Sequence, residues 1–472
     1  MRLATKIAYN TIVQIIGKVI ATVFGLAAIA IMTHHLGQTG FGQYTTIMTF
    51  LSFFGVIADL GLTLVTVQMI SDEQADHNKI LSNLFSLRLA SATIFLGLAP
   101  LIIFFFPYDP LIKLGVAITT LSFFFTALNQ ILVGLFQKHL KMIIVSLAEI
   151  IGRLVLLAGI ILAIKLGYGL IGIMIATVIS SAIGFAIHYC SSGRYATIKL
   201  RFDPAVWLII IKKSWPLALT IVFNLIYLRA DTLLLSLLKS QAEVGLYGAA
   251  YKVVDVLTTL PFMFAGIILP IATASWINQE TERFKNIMQK SFDVLVIMAI
   301  PMLIGAQLTA RPVMTLIAGS EFALAGAVLK ILILATAIIF LGCLFAHAII
   351  ALDQQKKMIG AYIFTALTAL AGYLIFIPKY SYFGAAWVTV YSESVIALAS
   401  FYLVIKYSGF KPKLPVLFKS LAASLIMVLA IWLTLNKINL ILVLSLAVVI
   451  YLLALYYFKG ITRQDILDLL NK

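Results

Sequence analysis

The sequence predicts an all-α, polytopic membrane protein of about 14 transmembrane helices, and three observations lead there. Of the 472 residues, 62% are hydrophobic and only 11% are charged, against roughly 45–50% and about 25% in soluble domains. The apolar excess is spread along the chain in runs of about 20–28 residues, the length that crosses about 30 Å of hydrocarbon at 1.5 Å per residue. A β-barrel would show weak alternation over roughly ten-residue segments instead. The basic residues, finally, gather at alternate breaks between the runs.

Span 1 covers 7–33. Arg2 and Lys6 precede it like a basic leader, and "AIA" at 28–30 imitates a cleavage site. The apolar run is nevertheless far longer than the roughly 7–15 residues of a signal's core. A first crossing, with no cleavable signal, is expected. "HHLGQTG" breaks the pattern before span 2 (41–69), and "FPYDP" separates span 3 (80–106) from span 4 (111–136). "KLGYG" divides span 5 (142–165) from span 6 (169–190). The longest polar connection follows, "SSGRYATIKLRFDPAVWLIIIKKS" at 191–214. Its Asp203–Pro204 step has N-cap and N1 chemistry and predicts a short helix at the membrane surface. Span 7 (215–238) and span 8 (243–273) flank "KSQAEV". Spans 9 (287–308), 10 (322–351), 11 (357–377) and 12 (383–405) follow, the last two parted by "PKYSYFG". "NKIN" joins span 13 (416–435) to span 14 (439–458). In the closing "GITRQDILDLLNK", Thr462 and Asp465 have capping-box spacing, and Ile466, Leu469 and Leu470 share a face. A second surface helix is expected there.

Placing the N-terminus in the cytoplasm puts 22 of the 34 Lys and Arg on cytoplasmic ends and loops, 6 on the other side and 6 inside spans. The positive-inside rule supports that orientation and an even span count, hence a cytoplasmic C-terminus. It also accounts for the net charge of +16 without nucleic acid, since the basic residues would rim an anionic leaflet. Cys190 and Cys343 lie in different spans and are expected to be buried, inert thiols. The six histidines show no metal-ligand spacing, and no metal or cofactor is expected.

The 191–214 connection divides six spans from eight, and the halves repeat. "GFGQY" (40–44) opens span 2, and "EVGLY" (243–247) opens span 8, 203 residues later. "GIMIATVIS" (172–180) opens span 6, and "GAAWVTVYS" (384–392) opens span 12, 212 residues later. Six helices are an even number, so the repeat is a parallel one about the membrane normal. The expected organisation is a six-helix lobe over 1–190, a linker over 191–214, a second six-helix lobe over 215–406, and two extra helices with a short tail over 407–472.

Three stretches carry a resemblance: "LGQTGFGQYTTIMTFLSFFGVIADLGL" (36–62), "YLRADTLLLSLLKSQAEVGLYGAAYKV" (227–253) and "GSEFALAGAVLKIL" (319–332). With the 6 + 6 + 2 arrangement, the chain resembles the polysaccharide-export branch of the multidrug/oligosaccharidyl-lipid/polysaccharide transporter superfamily. The R-x-D followed by E-V-G-x-Y-x-x-A is the most specific part. The resemblance covers most of the chain. It implies two lobes around a central cavity, alternating access, and flipping of undecaprenyl-pyrophosphate-linked repeat units of O-antigen (for lipopolysaccharide) or exopolysaccharide in the bacterial inner membrane. It also implies polysaccharide polymerase machinery as a partner and a functional monomer.

Ionisable residues inside spans are functional candidates by default. Here they are Lys18, Asp59, Arg88, Glu149, Arg153, Arg229, Asp231, Lys252, Asp255, Lys330 and Glu393, with Asp293 near a span end. Arg229 and Asp231 stand two apart, about 200° around a helix, and should not pair with each other. Equal depth in an antiparallel hairpin means a constant index sum. That test sets Arg229 level with Asp255, and Asp231 level with Lys252, which is three residues from Asp255. It also sets Lys18 level with Asp59, and Glu149 and Arg153 have the favourable i, i+4 order. Arg229, Lys252, Lys18, Arg153 and Arg88 are the candidate cavity cations for a pyrophosphate, arginine offering bidentate contacts. Asp231, Asp255, Asp59, Glu393 and Glu149 are the candidate charge-balancing groups, through which protons or sodium could couple. The same pairs could serve only to orient helices, and Arg88 and Lys330 could snorkel to an interface.

Within the same fold the alternatives are a lipid II flippase and a cation-coupled multidrug exporter. The near balance of bases and acids inside the spans tilts away from cationic drugs. A membrane-embedded polymerase or glycosyltransferase is the different-class alternative. The sequence shows no DxD, phosphate-cradling glycine loop or catalytic triad, so an enzyme is not expected.

Overall fold

The computed structural model describes residues 3–70, 76–435 and 437–461, and among them there is no β-strand. The C-terminal surface helix expected after 460 falls almost wholly outside the described residues. Among the described residues thirteen α-helices run in order: α1 (Leu3–Asp59), α2 (Leu62–Ile70), α3 (His77–Ile102), α4 (Pro110–Lys138), α5 (Met142–Lys165), α6 (Gly169–Ser192), α7 (Pro204–Leu238), α8 (Gln241–Ile277), α9 (Thr281–Ala318), α10 (Ala325–Ala351), α11 (Ile359–Ser408), α12 (Pro415–Thr434) and α13 (Leu440–Tyr457). Eleven helical stretches among the described residues are long and apolar enough to cross a membrane, twelve with the bent α7. Two of them are too long for one crossing. α1 has 57 residues and α11 has 50, about 85 and 75 Å at 1.5 Å per residue. Each contains one non-helical residue, Gly37 (φ 63°) in α1 and Ser381 (φ 51°) in α11. These breaks sit inside "HHLGQTG" and "PKYSYFG". Counting α1 and α11 as two crossings each gives the fourteen expected.

Two elements differ from expectation. Span 2 is not continuous: the chain turns through Leu60 (φ 48°) and Gly61 (φ 74°) before restarting as α2. Asp59 caps the restart, its Oδ1 accepting from the Thr63 amide at 3.3 Å and lying 2.5 Å from the Thr63 hydroxyl. The surface helix and span 7, expected as separate, form one 35-residue helix, α7, started by Asp203 as N-cap and Pro204 at N1. It bends by 49° between Tyr227 and Arg229. Of the two cysteines, Cys343 is buried as expected, but Cys190 is exposed.

The connection before α7 is fixed to α3. The amides of Thr197, Lys199, Arg201 and Asp203 donate to Asn78 Oδ1 (3.0 Å), Ser82 Oγ (3.2 Å), Ser86 Oγ (2.9 Å) and Asn83 Oδ1 (3.0 Å). Every second amide of an extended chain points the same way, and Asn78, Ser82 and Ser86 recur every four residues on one face of α3. Asp203 also meets Lys79 at 2.8 Å. That hydrogen bond, then the Val206 amide, holds its carboxyl below the usual carboxylate range.

The chain divides into two compact units, one through Gly245 and one from Leu246. The first packs α3, α2 and α4 around Leu84, Ile131, Leu132 and Phe136. In the second, α12 and α13 pack on Ala423, Ala447 and Leu455, against Ile297 and Leu308 of α9.

The repeat is visible in the packing of small residues. A Cβ on Gly159 would lie 2.7 Å from the Ala176 Cβ, and one on Gly172 would lie 2.7 Å from the Ala163 Cβ. In the second unit Gly372 stands against Val388, and Gly384 against Phe376. All four positions are shifted by 212 or 213 residues, so α5 and α6 pack as the two halves of α11 do. A second crossing lies in the first unit. A Cβ on Gly42 would be 1.7 Å from the Gln241 carbonyl oxygen, and one on Gly245 would be 2.0 Å from that of Gln38. Gln38 and Gln241, like Gly42 and Gly245, are 203 residues apart. The contact is therefore reciprocal between repeat-related residues, as an isologous interface is.

Candidate functional site

The first unit carries an open-sided cavity of about 440 Å³ between α4, α5 and α6, with Met48 of α1 on its rim. Its wall is unusual for apolar helices. Thr177, Ser180, Ser181, Gly184 and His188 fall on one face of α6 and all line it. α5 contributes Glu149, Gly152 and Arg153, and α4 contributes Ser122, Phe123 and Asn129. The Ser122 and Ser181 hydroxyls lie 2.6 Å apart, and Ser180 donates to the Gly152 carbonyl at 2.7 Å. His188 Nδ1 is hydrogen-bonded to Asn129 Oδ1.

One expected cation, Arg153, lines this cavity, and a second, Lys18, reaches the Glu149 of its wall. Lys18 Nζ donates to Glu149 Oε1 at 2.9 Å, both side chains about a third or more exposed. Arg153 is exposed on the cavity wall, and a Cβ on Gly25 would stand 3.9 Å from its Nη1. Arg153 makes no ion pair among the described residues. The glycine at 25 leaves α1 open where the guanidinium passes.

The pairs read from depth and spacing are exchanged. Lys18 binds Glu149 rather than Asp59, and Glu149 binds Lys18 rather than Arg153. Equal index sums fix depth but not direction. α5 packs along the first half of α1 and reaches Lys18. Asp59, at the end of α1, faces α3, where Arg88 Nη1 donates to its Oδ1 at 2.6 Å. Arg88 does not snorkel: it is 1% exposed. Its Nε donates to the Ala127 carbonyl (2.9 Å), Nη1 also to that of Ala58 (3.2 Å), and Nη2 to Gln130 Oε1 (2.5 Å). Four of the five guanidinium N–H groups are thus committed to protein acceptors.

The remaining candidates are distributed between the units. Arg229 follows the bend in α7 and is partly exposed, while Asp231 is fully buried and accepts from the Thr232 amide at 2.5 Å. In the second unit Lys252 and Asp255 approach to 3.7 Å along one face of α8, the spacing that three residues allow. Glu393 is 8% exposed in α11, and its Oε1 has no hydrogen-bond partner among the described residues. By the 212-residue shift it occupies the place of Ser181. Tyr362 takes the place of Glu149, so each repeat puts one carboxylate at this level but on opposite helices of the pair.

His188, Asn129 and the Ser/Thr wall were missed from sequence. The signal was present: five small or polar residues at i, i+3, i+4, i+7 and i+11 in an otherwise apolar helix form a stripe that a search for charges passes over.

A family model described as "Polysaccharide biosynthesis protein" matches residues 3–277. No curated protein matches the chain. Among solved structures, one described as "Lipid II flippase MurJ, inward closed conformation" is similar at 19% identity with a TM-score of 0.78, over 97% of this chain and 100% of its own. An inward-facing multidrug resistance MATE family transporter of the MOP superfamily is similar at 14% identity and TM-score 0.69, over 84% and 98%. A MOP superfamily transporter from Pyrococcus furiosus, whose reversed binding-pocket polarity is said to suggest a different function, is similar at 15% identity and TM-score 0.61, over 86% and 95%. At these identities the likeness is one of fold.

Proposed function

The chain belongs to the polysaccharide biosynthesis protein family, and from that membership we propose that it is a flippase for lipid-linked oligosaccharides. The substrate is an undecaprenyl-pyrophosphate-linked repeat unit of O-antigen or exopolysaccharide, moved across the bacterial inner membrane by alternating access. One observation carries this reading: a hydroxyl-lined cavity inside an apolar helical unit holds an arginine without an ion-pair partner among the described residues, next to a lysine shared with one glutamate. A pyrophosphate cannot enter hydrocarbon unaccompanied, and Arg153 and Lys18 supply the compensating charge.

In this reading Glu149 holds Lys18 until the anion arrives. Arg229 and Lys252 serve as further cations, and Asp231 and Asp255 as further charge-balancing groups, Asp255 beside Lys252 on α8. Arg88 and Asp59 keep the first unit in shape. Glu393, with a carboxylate oxygen unpartnered among the described residues, is the coupling group for protons or sodium. The 191–214 segment links the lobes in sequence, both termini are cytoplasmic, and the chain acts as a monomer beside a polysaccharide polymerase.

Reconstitution into proteoliposomes with a fluorescent undecaprenyl-pyrophosphate oligosaccharide tests the function. Arg153→Ala should slow flipping at least tenfold at equal protein levels, and Arg153→Lys should recover part of the rate. Full-rate flipping by Arg153→Ala removes the cavity from the mechanism. No flipping by wild type against any such lipid removes the function.

A further inference from the structure

We propose that the cavity of the first unit is a recognition pocket for a single sugar ring of the transported lipid, read by His188. The proposal rests on the flippase reading and adds to it which part of the substrate enters the unit. The observation that carries it is an orphaned acceptor. His188 is 3% exposed. The Asn129 Oδ1 beside its Nδ1 can only accept, so Nδ1 carries the ring hydrogen. In the neutral ring, Nε2 then keeps its lone pair, and Nε2 is buried with no partner among the described residues. A buried acceptor left without a donor is unfavourable. Nε2 is sealed from the cavity as the ring stands, and His188 lines that cavity, so a turn of the ring presents Nε2 to a ligand hydroxyl that supplies the donor.

The rest of the wall suits the same ligand. The hydroxyls of Thr126 and Thr177 donate to carbonyls of their own helices at 2.9 Å, which leaves their oxygens free to accept. Such a surface favours a ligand rich in O–H donors. Phe123 gives one apolar face, which fits the C–H face of a pyranose. The volume of about 440 Å³ lies within the roughly 300–1,000 Å³ of small-molecule sites. Arg153 lines the same cavity, so the phosphate and the ring it carries would lie in the order of a glycosyl phosphate: anion at Arg153, hydroxyls toward His188.

Gly184 supplies the test. It lines the cavity, and a Cβ built on it would meet nothing within 4 Å. Gly184→Leu therefore fills the pocket without displacing backbone. The full chain in nanodiscs is titrated with undecaprenyl pyrophosphate, and with the same lipid carrying one hexose or one N-acetylhexosamine. Wild type is expected to bind a sugar-bearing lipid at least tenfold tighter than the bare one. In Gly184→Leu that ratio should fall to about one. His188→Phe should lower it severalfold, and His188→Gln, which restores an acceptor, should recover it. A wild-type ratio of one, or an undiminished ratio in Gly184→Leu and His188→Phe, overturns the pocket and leaves the flippase standing. Binding of none of the lipids by wild type overturns both.

Discussion

Arg88→Met should cost the protein about 3–5 kcal/mol, the penalty for removing one partner of a buried ion pair. The side chain is 1% exposed and binds four acceptors from α1 and α4. Its loss takes one donor from each of Asp59, Gln130 and the Ala58 and Ala127 carbonyls, and leaves the Asp59 carboxylate without its counter-charge. Asp59 is doubly placed, since the same Oδ1 starts α2 through the Thr63 amide. Arg88→Lys should rescue little, because an ammonium cannot reproduce the planar fork that reaches α1 and α4 together. Asp59→Asn added to Arg88→Met should recover part of the loss, since it removes the stranded charge and keeps an oxygen for the cap. Thermal unfolding in detergent, followed by intrinsic fluorescence, measures all three. A midpoint for Arg88→Met within about 2 °C of wild type would contradict the assignment of Arg88 as the tie between α1, α3 and α4.

Gly42→Val is expected to be as damaging through sterics alone. The new Cβ would fall 1.7 Å from the Gln241 carbonyl, and no rotamer change relieves a clash with backbone. Overpacking in a well-filled interior costs typically 1–3 kcal/mol when side chains can give; here α1 and the start of α8 must separate. The separation also loosens the hydrogen bond from Thr46 Oγ1 to Gln241 Oε1, 2.7 Å long. The reciprocal Gly245→Val, set against the Gln38 carbonyl, should have an effect of the same size. Gly184→Val, in open space, should not. Folded yield by size-exclusion chromatography ranks the three. Equal yields for Gly42→Val and Gly184→Val would show that the two helices do not run this close.

The fold was legible because its signals are long. Runs of twenty apolar residues, glycine- and proline-bearing breaks and the sorting of lysines and arginines survive in a single sequence, and the two doubly long helices break where "HHLGQTG" and "PKYSYFG" said they would. The break at Leu60–Gly61 escaped because it lies inside an apolar run. Only Asp59, a capping residue in an odd place, marked it. The short helix before span 7 was recognised from Asp203 and Pro204, but nothing local says whether such a helix stops or runs on into the next span. The charges were found, and their partners were not. Depth along a helix can be counted from sequence, whereas azimuth depends on which neighbours pack where. That is why Lys18 turned to Glu149, and Asp59 to Arg88. The pocket around His188 was least visible, since hydroxyls and one imidazole among leucines look like ordinary membrane helix until three helices bring them together.

The extended segment before α7 looks from its composition like a flexible connector, and it offers trypsin two exposed sites, Lys199 and Arg201. A protease needs several residues drawn out into its cleft, and susceptibility follows how the local backbone is held rather than where it lies in the chain. Here the amides of 197, 199, 201 and 203 are all held by α3. Limited digestion should therefore cut at the turn residue Arg194 well before either of them. Replacing Ser82 and Ser86 together by alanine should bring the cuts at Lys199 and Arg201 forward, as peptide mass mapping would record. What reads as a tether is in effect a clasped strap, resistant to nicking although it lies in plain view of the solvent.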